Sequence, residues 1–341
     1  DAWMACAAAL SPRNSRGVLM NRRDFVKKAS TATLLGCFPA TLSALERSAG
    51  QGRLERRSLG RTGEKLSLLG FGGIVVKDAS AAEAAQRVSQ AIEAGVNYFD
   101  VAPTYGNAED MLGPALEPYR KGVFLACKTT QRGKSQAAAE LATSLKKLRT
   151  DHFDLYQLHA VTTPADVEMI FSPDGALRAF LDAKKSGKVR FIGFSAHSVE
   201  AATALMDRFD FDTILFPINF ATWHAGNFGP QVLEKAKSKK MGILALKAMA
   251  KRPWPPGAAR TYAKCWYEPL ANPDEAMMGL RFTLSHPVTA AIPPGDENLY
   301  KMALELAGRF TPLTDAEVES IKQKAMQGEP IFRYPYVERK A

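Results

Sequence analysis

Val96-Asn97-Tyr98-Phe99-Asp100, Val123-Phe124-Leu125-Ala126-Cys127-Lys128, Leu155-Tyr156-Gln157-Leu158-His159 and Phe191-Ile192-Gly193-Phe194-Ser195 share one pattern. Each is a short apolar run that ends in a side chain able to move a proton or make a hydrogen bond. The runs do not alternate polar with apolar, which suits strands buried on both faces. Helical patterns separate them, at the spacing a parallel crossover demands.

The same rhythm extends in both directions. Upstream, Arg57 to Gly63 followed by Leu66 to Gly70 reads as a hairpin leading into a first strand. Ser80 and Glu83 form a capping-box pattern, and the helix they open puts Ala84, Val88, Ala91 and Ile92 on one face before Gly95 ends it. Further helices are expected around Met111, Leu112 and Leu116 and at 135–149, 174–186, 198–207, 229–239, 273–285 and 297–308. Strands are expected at 213–217, 242–246 and 288–292, and a last amphipathic helix at 314–326. Eight strand–helix units favour a closed (β/α)8 barrel over an open sheet. The expected organisation is such a barrel over residues 51–341, with an N-terminal β-hairpin and a C-terminal helical extension. Gly70-Phe71-Gly72-Gly73 only approaches the dinucleotide fingerprint, because the third glycine is missing and no helix follows at once.

Barrel active sites lie at the C-terminal ends of the strands. Asp100, Lys128, His159 and Ser195 occupy those ends on four successive strands and should converge on one rim.

Composition excludes several classes. An apolar fraction of 46% and a charged fraction of 23% are those of a folded globular chain. No apolar run approaches the roughly 20 residues of a spanning helix. The net charge of +10 is uneven: residues 1–50 hold seven Lys/Arg against three acids, leaving +6 on the remainder. No aromatic-interleaved basic stripe occurs there, so nucleic acid is not an expected partner. Of four cysteines only Cys127 and Cys265 fall outside the N-terminal segment, without metal-ligand spacing, so no metal site is expected.

Residues 1–50 read as a targeting extension. Arg22, Arg23, Phe25 and Lys27 resemble a twin-arginine export signal, and a short, mildly apolar stretch follows from Ala29 to Gly36. Two processing routes are open: Leu34-Leu35-Gly36-Cys37 resembles a lipobox that would lipid-anchor Cys37, and Leu42-Ser43-Ala44 offers an ordinary cleavage site. The expectation is a periplasmic protein, or one anchored on the outer side of the inner membrane, delivered by the twin-arginine machinery.

The run from Asn97 to Glu109, which contains Asp100-Val101-Ala102-Pro103-Thr104-Tyr105-Gly106, resembles the aldo-keto reductase signature. Lys128, His159 and the segment Gly187 to Ser195 follow in matching order, and the likeness covers roughly residues 55–310. The resemblance implies an NAD(P)H-dependent oxidoreductase that reduces an aldehyde or ketone, or oxidises the matching alcohol. Tyr105 is then the general acid, Lys128 its tuner, Asp100 the partner of Lys128, and His159 the group that orients the carbonyl. The chemistry fits these types. Reduction leaves negative charge on oxygen, a free Tyr titrates near 10, and a nearby ammonium favours the phenolate.

The cofactor side departs from the family pattern. Ser195 matches the Ser of a Ser-Asn pair that holds the nicotinamide carboxamide, but Ala196 replaces the Asn and His197 follows. Leu215 stands where a Gln is expected, with Asn219 as the substitute. Leu246 replaces the stacking aromatic residue, and Lys247 beside it is assigned to a cofactor phosphate. Ala291-Ile292-Pro293-Pro294-Gly295 resembles the phosphate loop before the last barrel helix, where backbone N–H groups meet anions. Pro294, Gly295 and Lys301 complete the expected cofactor set. The cofactor is NADP or NAD, with NADP placed first, although acidic Asp296 and Glu297 leave the choice open.

A small carbonyl or sugar-like substrate is expected between aromatic loops: Trp254, Trp266 and Tyr267 in 251–272, Trp223 and His224 after the sixth strand, and Phe332, Tyr334 and Tyr336 in the tail. The altered Ala196, Leu215 and Leu246 motivate a rival expectation, a cofactor-binding sensor or accessory protein with little turnover.

Overall fold

Arg56–Ser58 pairs antiparallel with Lys65–Ser67 in the computed structural model, which describes residues 54–335. The tip of this hairpin presses on the barrel floor. Gly60 is at φ 51°, and a Cβ there would lie 2.2 Å from the Gly242 amide nitrogen, so only glycine fits. Arg61 N–H donates to the Lys240 carbonyl at 3.1 Å. Leu59 and Leu66 are thereby driven into the barrel's interior with no exposed surface.

Eight parallel strands follow: β1 (Phe71–Gly72), β2 (Tyr98–Asp100), β3 (Phe124–Thr129), β4 (Phe153–Val161), β5 (Val189–Ala196), β6 (Thr213–Pro217), β7 (Gly242–Leu246) and β8 (Ala290–Ile292). Each pairs with the next in sequence. A parallel bridge between Leu69 and Ala291 closes the ring, with Gly70 N–H donating to the Ala291 carbonyl at 3.0 Å and Ala291 N–H to the Leu68 carbonyl at 2.8 Å. The (β/α)8 barrel is therefore present. The expected first strand at 66–70 is divided between two sheets: Lys65–Ser67 belongs to the hairpin, and Leu69 to Gly72 to the barrel.

Strand parity sorts the side chains. Tyr98, Phe124, Ala126, Leu155, Leu215, Leu244 and Ala290 fill the interior with Leu59 and Leu66. Phe99, Leu125, Cys127, Phe194 and Phe216 belong to the larger core between strands and helices. The same parity that buries Tyr98, Ala126 and Leu155 sends Asp100, Lys128, Gln157 and His159 inward at the upper end.

The barrel helices lie within a few residues of expectation, at Ala81–Glu93, Ala108–Leu116, Lys134–Lys147, Ala176–Lys185, Val199–Arg208, Pro230–Ser238, Pro273–Ser285 and Glu297–Ala307, with Asp315–Met326 beyond them. The Ser80/Glu83 capping box forms, as do boxes at Thr163/Asp166 and Thr314/Glu317. Several small elements were not expected: helices Pro164–Phe171 and Phe220–His224, short 3-10 helices Gly73–Val76 and Glu117–Gly122, and a hairpin pairing Ala250–Pro253 with Tyr267–Pro269. Among the described residues no helix is long and apolar enough to cross a membrane. The export signal and Cys37 lie outside the described residues.

Leu59 plugs the barrel far from the strand ends that carry the polar rim. Leu59→Ala should therefore lower unfolding free energy by about 2–5 kcal/mol, the range for an emptied core leucine. Denaturant titration should show this loss, while kcat at a temperature where the variant stays folded should change little.

Candidate active site

Asp100 ends β2 and Lys128 lies one strand over on β3, both pointing inward. Their side chains are 2% and 1% exposed and form a direct ion pair. Burying two charges is costly unless every remaining valence is met. Here Gln157 Nε2 donates to Asp100 Oδ2 at 3.1 Å and the Tyr98 hydroxyl donates to the same oxygen at 3.3 Å. Burial alone pulls the Lys128 ammonium down, but Asp100 and then Tyr105 more than offset it, so its pKa lies above the ordinary value and it stays charged.

Tyr105 sits in the loop after β2, where its N–H donates to the Ala102 carbonyl at 3.0 Å and Gly106 at φ 65° turns the chain. The Lys128 ammonium lies 5.1 Å from the Tyr105 ring centroid. The net direction on Tyr105 is set by more than Lys128. Burial raises its pKa, Lys128 pulls it back, Asp100 raises it again, and the outcome is above 10.0. Lys128 thus limits a rise caused by desolvation and does not produce a phenolate at neutral pH.

His159 packs edge-on against Tyr105, with centroids 5.7 Å apart and planes at 88°. Thr104 Oγ1 lies 3.5 Å from its Nδ1. Burial, then Lys128, His197, Arg132 and Lys247, depress its pKa to about 2, so the imidazole is neutral. The four residues expected at the catalytic centre are therefore brought together.

Asp100 and Tyr105 also line a cavity of about 110 Å³ with Gly72, Leu215, Leu246 and Lys247 on one side and Pro293, Pro294 and Gly295 on another. Lys264 to Tyr267 cover it. Among the described residues Lys247 forms no ion pair; its ammonium rests 4.8 Å from the Tyr267 centroid and 5.3 Å from that of Trp266. Burial, with Cys265 opposing and Lys128 adding, lowers its pKa to about 8. Lys247 is at φ 70°, an uncommon conformation for a residue with a side chain.

The other expected cofactor residues fall in different places. Ser195 is buried at the end of β5, and its hydroxyl accepts the Ala160 N–H at 2.8 Å. Asn219 uses its Oδ1 to cap the short helix 220–224 through Thr222 N–H at 3.0 Å, leaving Nδ2 buried without a partner. Asp296 accepts the Asn298 and Leu299 N–H groups at 3.0 and 3.2 Å, so these first amides of the helix after the phosphate-loop stretch are already bonded. Lys301 lies along that helix, paired with Glu297 at 2.6 Å, and does not line the cavity.

Of the expected aromatic walls, Trp266 and Tyr267 line the cavity. Trp254 supports them, its Nε1 donating to the Cys265 carbonyl at 2.9 Å. Trp223 packs on His286 at 4.2 Å and on Phe282, and His224 on Phe282, so the structure takes both into the helix layer. Phe332 stacks on His197 at 5.5 Å and meets Trp266 edge-on, and Tyr334 N–H docks on the Gly226 carbonyl. Tyr336 lies outside the described residues.

Sequence reasoning missed Gln157, Tyr98 and Lys264. Gln157 is two residues before His159, so the period of two was the available signal. Lys264 donates to the carbonyls of Ile74 and Lys77 at 3.1 and 2.7 Å, tying the covering segment to the loop after β1, which no local pattern announces. Among the described residues no cluster of His, Cys, Asp and Glu could hold a metal ion.

A model of the Aldo/keto reductase family matches residues 68–253. L-galactose dehydrogenase of Arabidopsis thaliana is 28% identical over 214 residues, 58% of this chain and 66% of that protein. The uncharacterized oxidoreductase YqkF of Bacillus subtilis (strain 168) is 23% identical over 305 residues, 80% of this chain and 97% of that protein. Among solved structures, the holo form of aldo-keto reductase AKR11C1 from Bacillus halodurans superposes with a TM-score of 0.65 at 22% identity, covering 84% of this chain and all of that one, a likeness of fold. The matched segment runs from the lead-in to β1 to the strand just past β7, and the chain belongs to the aldo/keto reductase family as an NAD(P)H-dependent enzyme.

Proposed function

We propose that the protein reduces the carbonyl of a small aldehyde, ketone or sugar-like compound, with Tyr105 supplying the proton. The observation that carries this reading is the buried Asp100–Lys128 pair set beneath the Tyr105 ring, with neutral His159 at its edge. The Tyr105 hydroxyl donates to the oxygen as charge develops there. Lys128 stabilises the phenolate left behind, and its ion pair with Asp100 fixes it in place. His159, being neutral, can orient the oxygen without competing for the proton.

The cavity suits an anionic cofactor. It holds a half-buried ammonium with no ion-pair partner among the described residues, and a partly desolvated charge is less favourable until an anion arrives. Lys247 would meet a phosphate, with Pro294 and Gly295 lining its path. Ser195 and the free Nδ2 of Asn219 would take the carboxamide end, and Lys301 would reach the outer end only by leaving Glu297. Bound NADP(H) or NAD(H) supplies the hydride. Both nucleotides are candidates, and direct binding of each separates them.

Tyr105→Phe should abolish carbonyl reduction while nucleotide still binds; retained turnover would sink the assignment. A wild type that binds nucleotide but turns over nothing across a broad carbonyl panel would favour the sensor reading. In the wild type, reduction needs the protonated phenol, whose pKa is raised above 10.0, so kcat/KM for the carbonyl, measured at saturating nucleotide, should be flat from about pH 6 to 9. Alcohol oxidation needs the phenolate and should rise with pH over the same range. His159 contributes no inflection there, because its pKa of about 2 keeps it neutral throughout.

Lys247→Met should weaken nucleotide binding by roughly 10- to 100-fold, the worth of a charged hydrogen bond. Affinity of the wild type should fall as pH rises through about 8, where Lys247 loses its proton. Fluorescence titration of bound nucleotide measures both, and an unchanged Kd would remove Lys247 from the cofactor site.

On the strength of Arg22, Arg23, Phe25 and Lys27, the enzyme is exported folded with its nucleotide aboard. Absorbance and mass analysis of protein recovered from the periplasm tests this. Empty protein with millimolar affinity would overturn it.

A further inference from the structure

The peptide units around His159 are held by two side chains from other loops and strands. Arg132, in the loop after β3, donates from Nη2 to the His159 carbonyl at 2.8 Å and to the Ala160 carbonyl at 3.3 Å. Ser195, at the end of β5, accepts the Ala160 N–H at 2.8 Å. The guanidinium is itself anchored, since Nε donates to Asp166 Oδ1 at 2.9 Å. Asp166 is fixed in turn as the third residue of the capping box that Thr163 opens.

The segment so held is an irregular one. Ala160 is at φ 53°, and the pairing of β4 with β5 slips between Leu158 and Val161. A left-handed alanine at a strand end persists only where its surroundings over-determine it. The bulge re-aims the end of β4 at the residue that carries the imidazole, as bulges beside active sites do.

Two further facts separate this arrangement from ordinary packing. Arg132 Nη1 is buried with no acceptor, so the guanidinium is retained despite an unmet donor. Its charge also faces His159 together with those of Lys128 and Lys247, and adds to the field that keeps the imidazole neutral.

We infer that Arg132 is a positioning residue for His159. Its grip on the His159 and Ala160 carbonyls, against the Ser195 hydroxyl on the Ala160 amide, sets where the imidazole stands beside Tyr105. Ser195 then has a structural task at this bulge in addition to the one proposed for it at the cofactor. The inference rests on the reading of His159 as the group that orients the carbonyl.

A double-mutant cycle tests it. Arg132→Met and His159→Ala are made singly and together, and kcat, KM and nucleotide Kd are measured for carbonyl reduction. Arg132→Met should lower kcat by roughly 100-fold, the cost of about a 1 Å misplacement, with nucleotide Kd within about twofold of wild type. In the His159→Ala background the same change should lower kcat by less than about threefold, because the group it positions is gone. Arg132→Lys, which keeps the charge and one donor, should recover part of kcat and serves if the Met variant does not fold. Equal losses in both backgrounds would overturn the inference, as would a variant that loses only thermal stability. Full activity in His159→Ala alone would instead overturn the role given to His159.

Discussion

A lysine ammonium with 1% of its side chain exposed has to be neutralised where it stands, and the Asp100–Lys128 pair does this inside the barrel. The pair constrains everything around it. Each charge would be unfavourable by several kcal/mol alone, and removing one partner from such a pair costs about 3–5 kcal/mol. Gln157 and Tyr98 complete the coordination of the carboxylate, so four strand positions on β2, β3 and β4 are committed to one charge. Tyr105 and His159 are placed relative to that fixed point. The barrel interior below it can then be apolar, because the polar layer is confined to the upper rim.

Much of the fold was readable because the barrel repeats one rule. Buried parallel strands give apolar runs, and the first polar residue after each run marks the rim that carries the candidate site. Asp100, Lys128 and His159 followed from that rule alone. Tyr105 did not, since it lies in a loop and only the resemblance identified it. Gln157 was hidden for another reason: the period of two puts it on the same face as His159, but its task appears only in the register that sets it against Lys128. Trp223 misled because aromatic content says nothing about which way a residue faces; its partners His286 and Phe282 come from a helix about sixty residues away. The 250–253/267–269 hairpin was illegible because its strands are too short to show a period.

Electrostatics was the least legible level. Lys128 does lower the Tyr105 pKa, as the residue types alone suggest. The competing desolvation depends on how completely the loop buries the phenol, and no spacing reveals that. Burial wins, so the phenol is protonated at neutral pH, the state that the proposed carbonyl reduction requires.

Lys128, buried in the barrel, and Lys247, in the cavity wall, have opposite fates for a single reason. Lys128 has a carboxylate within reach, and its charge is held through the neutral range. Lys247 has only aromatic faces, which attract a cation weakly compared with a carboxylate. It is therefore the charge that an incoming anion can complete. The surrounding imidazoles cannot relieve or add to this imbalance, because burial and the cations keep both His159 and His197 neutral. Lys247 adds positive charge there at neutral pH and loses it as pH rises through about 8. Such a field suits the proposed roles, a bound phosphate at one end and a developing alkoxide at the other. The proposed proton-transfer and cofactor halves of the site thus share one electrostatic environment, although only the first resembles the family pattern residue by residue.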